Sequence, residues 1–135
     1  MVNLFLNGEA MRGGRLHHTV AGHPFLGEVR TAPRYRFYSV RDEFPGLAPA
    51  AGSADGAGSA GIAGELYDVP LAVIAERFLP DEPPELELGV VQLEDGSYAL
   101  AVQLRPGETE PGRHKEITSY GGWRAYRAAA AGRPT

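Results

Sequence analysis

The clearest pattern along the chain is an alternation of apolar and polar residues that is typical of β-strands. Residues 2–7 alternate in this way and predict a strand with one strongly apolar face. Residues 25–29, 35–40 and 62–69 are rich in aromatic and β-branched residues and predict three further strands. The first half of the chain is therefore expected to be rich in β-structure.

A β-hairpin is predicted in the second half of the chain. Residues 86–93 and 98–104 both read as strands, and Asp95 and Gly96 between them suit a tight turn. Gly89 is a candidate β-bulge within the first of these strands.

Two short helices are also predicted. Pro70 suits the first turn of a helix over residues 71–78, which ends at the proline-rich, acidic turn 80–85. A second helix is expected near the carboxyl end, where Trp123 and Tyr126 are three residues apart and should pack together.

One stretch offers almost nothing to bury. Residues 48–61 are mainly alanine, glycine and serine, so burial cannot offset the entropy lost on ordering them. We expect a flexible loop there, within a single domain over residues 1–127, with a frayed tail at 128–135. The strands on either side of the loop are expected to pair as a hairpin. The predicted fold class is α+β, with a small mixed sheet curled into a partial barrel and a few short helices.

Composition excludes several kinds of function. The net charge of −4 gives no basic surface for nucleic acid, and the absence of cysteine rules out disulfides, thiolate zinc sites and cysteine nucleophiles. The four histidines show no metal-ligand spacing, so we expect neither a metal nor a cofactor. No segment resembles a signal peptide or a membrane span. We therefore expect a cytoplasmic location and no membrane partner.

Candidate chemistry lies in the glycine-rich loop that follows the first strand. Its backbone N–H groups lie close together beside two guanidinium groups, an arrangement that suits a carboxylate or another anion. A plain tight connection is the alternative, because glycines recur at such turns. The candidate substrate-binding residues are Leu6, Asn7, Gly8, Glu9, Met11, Arg12 and Arg15.

The order of strand, glycine-rich loop, strand, helix and acidic turn resembles the γ-glutamylcyclotransferase-like fold. Residues 31–38, 90–97 and 117–126, the last ending in Gly-Gly-Trp-Arg-Ala-Tyr, resemble more specifically the small carboxy-terminal domain of allophanate hydrolases. The resemblance covers nearly the whole chain. It implies that fold and a pocket for a small amide or carbamate that carries a carboxylate.

The resemblance also implies site residues. In γ-glutamylcyclotransferase-like proteins a Tyr-Gly-Ser loop cradles the substrate, and a glutamate after the helix does the acid–base work. Here the loop reads Leu6-Asn7-Gly8-Glu9, which keeps the glycine and loses the tyrosine, so substrate contacts should differ. The family's spacing from Tyr67 places the catalytic carboxylate at Asp81 or Glu82.

Two functions remain open from the sequence. In the first, the protein is a small-molecule enzyme: Glu82 exchanges protons, Asn7 and Gly8 donate hydrogen bonds, and Arg12 or Arg15 pairs a substrate carboxylate. In the second, it is a non-catalytic module that binds a small anion or partners an amidase. The sequence lacks the amidase half of an allophanate hydrolase, so a separate amidase is a candidate partner.

These two functions predict different surroundings for the acidic turn. The enzyme requires a carboxylate with a raised pKa facing the loop, whereas the binding module requires every carboxylate there to face solvent. The carboxylates concerned are Asp81, Glu82, Glu85 and Glu87. Glu65 could be either a buried base or an exposed strand residue.

Overall fold

The computed structural model describes residues 2–49 and 61–131, in which eight strands form two sheets. The strands are β1 (Val2–Leu6), β2 (Phe25–Arg30), β3 (Tyr35–Val40), β4 (Phe44–Pro49), β5 (Ala63–Val69), β6 (Leu86–Gln92), β7 (Tyr98–Leu104) and β8 (Lys115–Glu116). The α-helices of the described residues are α1 (Leu71–Val73) and α2 (Trp123–Ala131).

The larger sheet has five strands in the order β2-β5-β1-β7-β6. Strand β1 lies at its centre, antiparallel to β5 and parallel to β7, so the sheet is mixed, as the sequence predicts. Leu4, Phe5 and Leu6 are all buried, because both faces of this central strand are covered. The glycine-rich loop, which follows β1, therefore begins at the middle of the sheet.

The remaining strands form a second sheet in the order β4-β3-β8. The α+β class is confirmed, but the described strands form two sheets and do not close into a barrel. Strand β4, which contains Pro45 and Gly46, was not predicted from the sequence. Proline is tolerated there because β4 is an edge strand.

The expected long-looped hairpin is wrong. Strand β3 pairs with β4, whereas β5 pairs with β1 and β2 in the other sheet. The segment 48–61 therefore connects two sheets instead of two paired strands. Ala48 and Pro49 belong to β4, and residues 50–60 of the predicted flexible loop lie outside the described residues.

The β6–β7 hairpin is confirmed. Gly96 has a positive φ of 90° in the turn, where a residue without a side chain is favoured. Gly89 pairs with Ala101 in regular register, so the candidate bulge there is absent.

Both predicted helices are present and run further than expected. The first begins as α1 and continues through a π-helical turn, Ile74–Phe78, and a 3₁₀ turn, Leu79–Asp81. Helix α2 extends to Ala131, beyond the expected start of the tail at residue 128. The buried rings of Trp123 and Tyr126 have their centroids 5.7 Å apart, so the predicted packing is confirmed. No described helix is long and apolar enough to span a bilayer.

Gly64 of β5 has no room for a side chain against the central strand. A Cβ atom there would lie 2.3 Å from the carbonyl oxygen of Leu6 and 2.6 Å from the ring of Phe5. Both are fixed parts of the central strand, so they cannot move aside.

We therefore expect Gly64→Ala to lower the free energy of unfolding by about 1–3 kcal/mol, measured by denaturant titration. Gly89→Ala is the matched control: its Cβ would meet only the half-exposed, flexible side chain of Gln103, with Nε2 at 2.6 Å, and we expect a change within about 0.5 kcal/mol. Equal effects at the two positions would contradict this account of Gly64.

Candidate functional site

The glycine-rich loop between β1 and residue 16 is a set of tight turns held by its own backbone. Met11 donates to Gly8, Gly14 donates to Met11, and Leu16 donates to Glu9, at 3.1, 2.9 and 2.9 Å. Gly8 has no room for a side chain, because a Cβ atom would lie 2.6 Å from Cδ of Pro45. The loop is therefore closely packed against β4.

A buried carboxylate fixes this loop to the sheet. Glu65 on β5 is fully buried and accepts hydrogen bonds from the Arg12 amide at 2.9 Å and Arg12 Nε at 3.0 Å. It also accepts from Arg124 Nη2 at 2.8 Å and the Tyr67 hydroxyl at 3.1 Å. Burial alone would raise the pKa of Glu65, but these donors outweigh burial and lower it. Glu65 is therefore a buried, ionised anchor.

On the other side of the loop lies a small cavity of about 30 Å³. It brings together the first loop residues and the acidic turn, which are about 75 residues apart in sequence. Its lining residues are Leu6, Asn7, Gly8, Glu9, Ala10, Arg15, Leu16, Phe44, Pro45, Phe78, Glu82, Pro83, Leu86 and Val102. Five of the seven predicted substrate-binding residues and one of the two predicted catalytic residues are among them.

Glu82 is the unusual acid of this cavity. Burial, and then the negative charge of Asp81, raise the pKa of Glu82 to about 7, against a small lowering by Arg15. Burial matters most, in a cavity whose walls include the apolar side chains of Phe78 and Leu86. At neutral pH this carboxyl group is present in both protonation states.

Asn7 supplies a hydrogen-bond donor that the protein itself does not use. Its side chain is buried, with 5% exposure, and its Nδ2 has no hydrogen-bond partner among the described residues. A buried amide without a partner costs free energy, so a hydrogen bond from this group to a ligand or a water molecule would be favourable.

Three of the predicted site residues, Met11, Arg12 and Asp81, do not line the Glu82 cavity. Asp81 is exposed and lies 3.6 Å from His18, so its effect on the cavity is through its charge. Glu9 lines it but is held by Trp123, whose Nε1 donates to Glu9 Oε2 at 2.6 Å.

Sequence reasoning missed several residues of the cavity wall. Phe44 and Pro45 come from the strand that was not predicted, and Phe78 lies on the predicted helix but was not a candidate site residue. The bond from Trp123 to Glu9 joins residues 114 apart, so no local pattern indicates it. Within residues 2–49 and 61–131, no group of three or more acidic or histidine side chains could hold a metal ion.

The fold is that of the γ-glutamylcyclotransferase-like proteins: an AIG2-like protein from mouse superimposes with a TM-score of 0.57 at 19% identity, over 82% of this chain and 80% of that one. The family is more specific. The chain belongs to the allophanate hydrolase C-terminal domain family, whose model matches residues 2–128.

Two other solved structures resemble the chain more strongly. A uropathogenic E. coli-specific protein is 34% identical, with a TM-score of 0.81, over 94% of this chain and 95% of that one. Allophanate hydrolase from Kluyveromyces lactis is 26% identical, with a TM-score of 0.80, over 96% of this chain but only 21% of that enzyme. No curated protein matches the chain.

The raised pKa of Glu82 makes stability depend on pH. Because the folded state holds this proton up to about pH 7 and the unfolded chain only to 4.5, the folded state is penalised as pH rises through that window. A shift of this size corresponds to about 3 kcal/mol. We expect Glu82→Gln to match wild type near pH 4.5 and to be more stable at pH 8. Denaturant titration across pH would measure the difference, and parallel pH curves would contradict it.

The anchor role of Glu65 predicts a large loss when its charge is removed. Glu65→Gln would leave two guanidinium groups facing an amide, so we expect the free energy of unfolding to fall by about 3 kcal/mol. Glu28→Gln is the control: Glu28 also pairs with Arg12, at 3.3 Å, but its side chain is 70% exposed, so little should change. Similar losses in the two variants would refute the anchor role.

Proposed function

We propose that this protein is a small-molecule enzyme that acts on an amide or carbamate bearing a carboxylate, with Glu82 as its acid–base group. One observation carries the proposal: a carboxyl group with a pKa of about 7 lines the same cavity as the loop residues Asn7 and Gly8. A catalytic acid or base works best when its pKa is close to the working pH.

The surroundings of the other acidic residues support an enzyme over a binding module. Asp81 is exposed, Glu87 is 43% exposed, and Glu85 is paired with Arg41 at 2.7 Å. Only Glu82 of these four lines the cavity beside the loop. A simple anion-binding module would gain nothing from an acid of this kind, because its charged form repels anions.

The cavity also supplies groups for a substrate. Asn7 Nδ2 is positioned to donate to a carbonyl or carboxylate oxygen, and this would satisfy a buried donor. Arg15 lines the same cavity with a 60% exposed side chain, so it can pair a carboxylate at the cavity mouth.

The size of the cavity favours a small reacting group. A volume of about 30 Å³ has room for roughly two water molecules, so an amide or carbamate head fits and a longer chain has to extend through the mouth. Of the amide or carbamate substrates that the resemblance implies, a carbamate that carries its carboxylate on nitrogen is small, whereas a longer amide such as a γ-glutamyl amide needs the cavity to widen. A separate amidase would supply the carbamate.

Glu82 is the proton-transfer group in two possible reactions, decarboxylation and acyl transfer. In decarboxylation the carbon–nitrogen bond breaks, carbon dioxide leaves, the electron pair stays on nitrogen, and protonated Glu82 donates its proton to that nitrogen. In acyl transfer, ionised Glu82 takes the proton of the attacking amine and returns it to the leaving amine. Both protonation states are available near pH 7.

The test is a mass-spectrometric turnover screen of allophanate, related carbamates and γ-glutamyl amides. We expect Glu82→Gln to lose about 10²–10⁴-fold in rate, because an amide cannot transfer the proton. Asp81→Asn should retain activity and move the pH profile to lower pH, since the charge of Asp81 raises the pKa of Glu82.

Glu87→Gln is the matched control. Glu87 lies close to the acidic turn, at the start of β6, but it pairs with Arg105 at 3.3 Å and does not line the cavity. Turnover that survives Glu82→Gln would move catalysis to another group. Absence of turnover across the whole panel, with the wild-type protein folded, would favour the binding module.

A further inference from the structure

The two arginines of the loop face different cavities. Arg15 lines the Glu82 cavity, whereas Arg12 borders a second and larger cavity of about 380 Å³. Arg124 and Arg127 of helix α2 line this second cavity together with Arg12, and Trp123 forms part of its wall. We call it the three-arginine cavity.

The three guanidinium groups are held in place by the protein, but each keeps N–H donors that the described residues do not bond. Arg12 and Arg124 are both bonded to the buried Glu65, and Arg127 donates to the Asp42 carbonyl at 3.2 Å and lies 5.4 Å from the ring centre of Trp123. Within the described parts of the chain, Nη1 of Arg12, Nη1 of Arg124 and Nη2 of Arg127 have no hydrogen-bond partner. Each cation therefore keeps a donor group for a ligand.

The nearby acids do not cancel these charges. Glu65 is one carboxylate shared by two arginines, and the charge of Glu9, which also lines the cavity, is offset by a fourth arginine, Arg15, at 3.8 Å. Glu28 pairs with Arg12 but is 70% exposed, so solvent screens it. A local surplus of positive charge remains in a chain whose net charge is −4.

The geometry suits a ligand with several oxygens. Guanidinium groups bind phosphate and carboxylate oxygens through paired hydrogen bonds, and three such groups on one cavity offer more donors than the two oxygens of a carboxylate can use, which favours a phosphate group. We propose that the three-arginine cavity binds a small phosphate-bearing anion, at a site separate from the Glu82 cavity. Its volume exceeds that of a free phosphate ion, which leaves room for an esterified group.

The proposal is tested by isothermal titration calorimetry of the intact protein at low ionic strength, with inorganic phosphate and with glycerol 3-phosphate as probes. Arg127→Gln is the informative variant, because Arg127 does not contact Glu65 and its loss should leave the fold intact. We expect it to weaken binding about tenfold, the usual effect of losing one charge-assisted contact. Tighter binding of the ester than of the ion would identify an esterified ligand.

Arg105→Gln is the control, since Arg105 is a half-exposed arginine paired with Glu87 on the β6–β7 hairpin. It should bind both probes as wild type does. In wild type, the NMR signals of the arginine side-chain N–H groups of Arg12, Arg124 and Arg127 should shift when phosphate is added. The proposal fails if wild type binds neither probe, if Arg127→Gln binds as well as Arg105→Gln, or if these signals do not move.

Discussion

The buried carboxylate of Glu65 is the interaction on which the arrangement of the site depends. A charged group without solvent is stable only when donors surround it, and the donors of Glu65 come from the loop, from β5 and from α2. The loop and the helix must therefore be in place whenever Glu65 is buried and ionised. One residue in the sheet thus sets the position of the loop that borders both cavities.

Glu65 and Glu82 show how surroundings give two carboxylates different chemistry. Glu65 has four donors, which keep it ionised despite complete burial. Glu82 has apolar walls and a neighbouring acid, which favour its protonated form. Pairs of acids whose environments push their pKa values apart are a sign of divided roles, one structural and one available for proton transfer.

The sequence could predict what depends on local periodicity. It indicated β1, the β6–β7 hairpin and the packing of Trp123 against Tyr126, because each is encoded by neighbouring residues. It could not indicate that β5 joins β1 and β2 instead of β3, since strand pairing is decided by the whole sheet. The bonds of Glu65 to Arg12 and Arg124 span 53 and 59 residues, and no spacing rule connects residues that far apart.

Each of three glycines in the loop is favoured over a larger residue for a different physical reason. Gly8 allows β4 to approach, Gly13 has a φ of 87°, and at Gly14 a Cβ atom would lie 2.0 Å from the Glu9 carbonyl oxygen. The loop therefore turns sharply between Arg12 and Arg15, and this turn sends two arginines only three residues apart to opposite cavities. A loop that looked like a single anion cradle in the sequence presents separate surfaces to two sites, and Glu9, bonded to Trp123, lies between them.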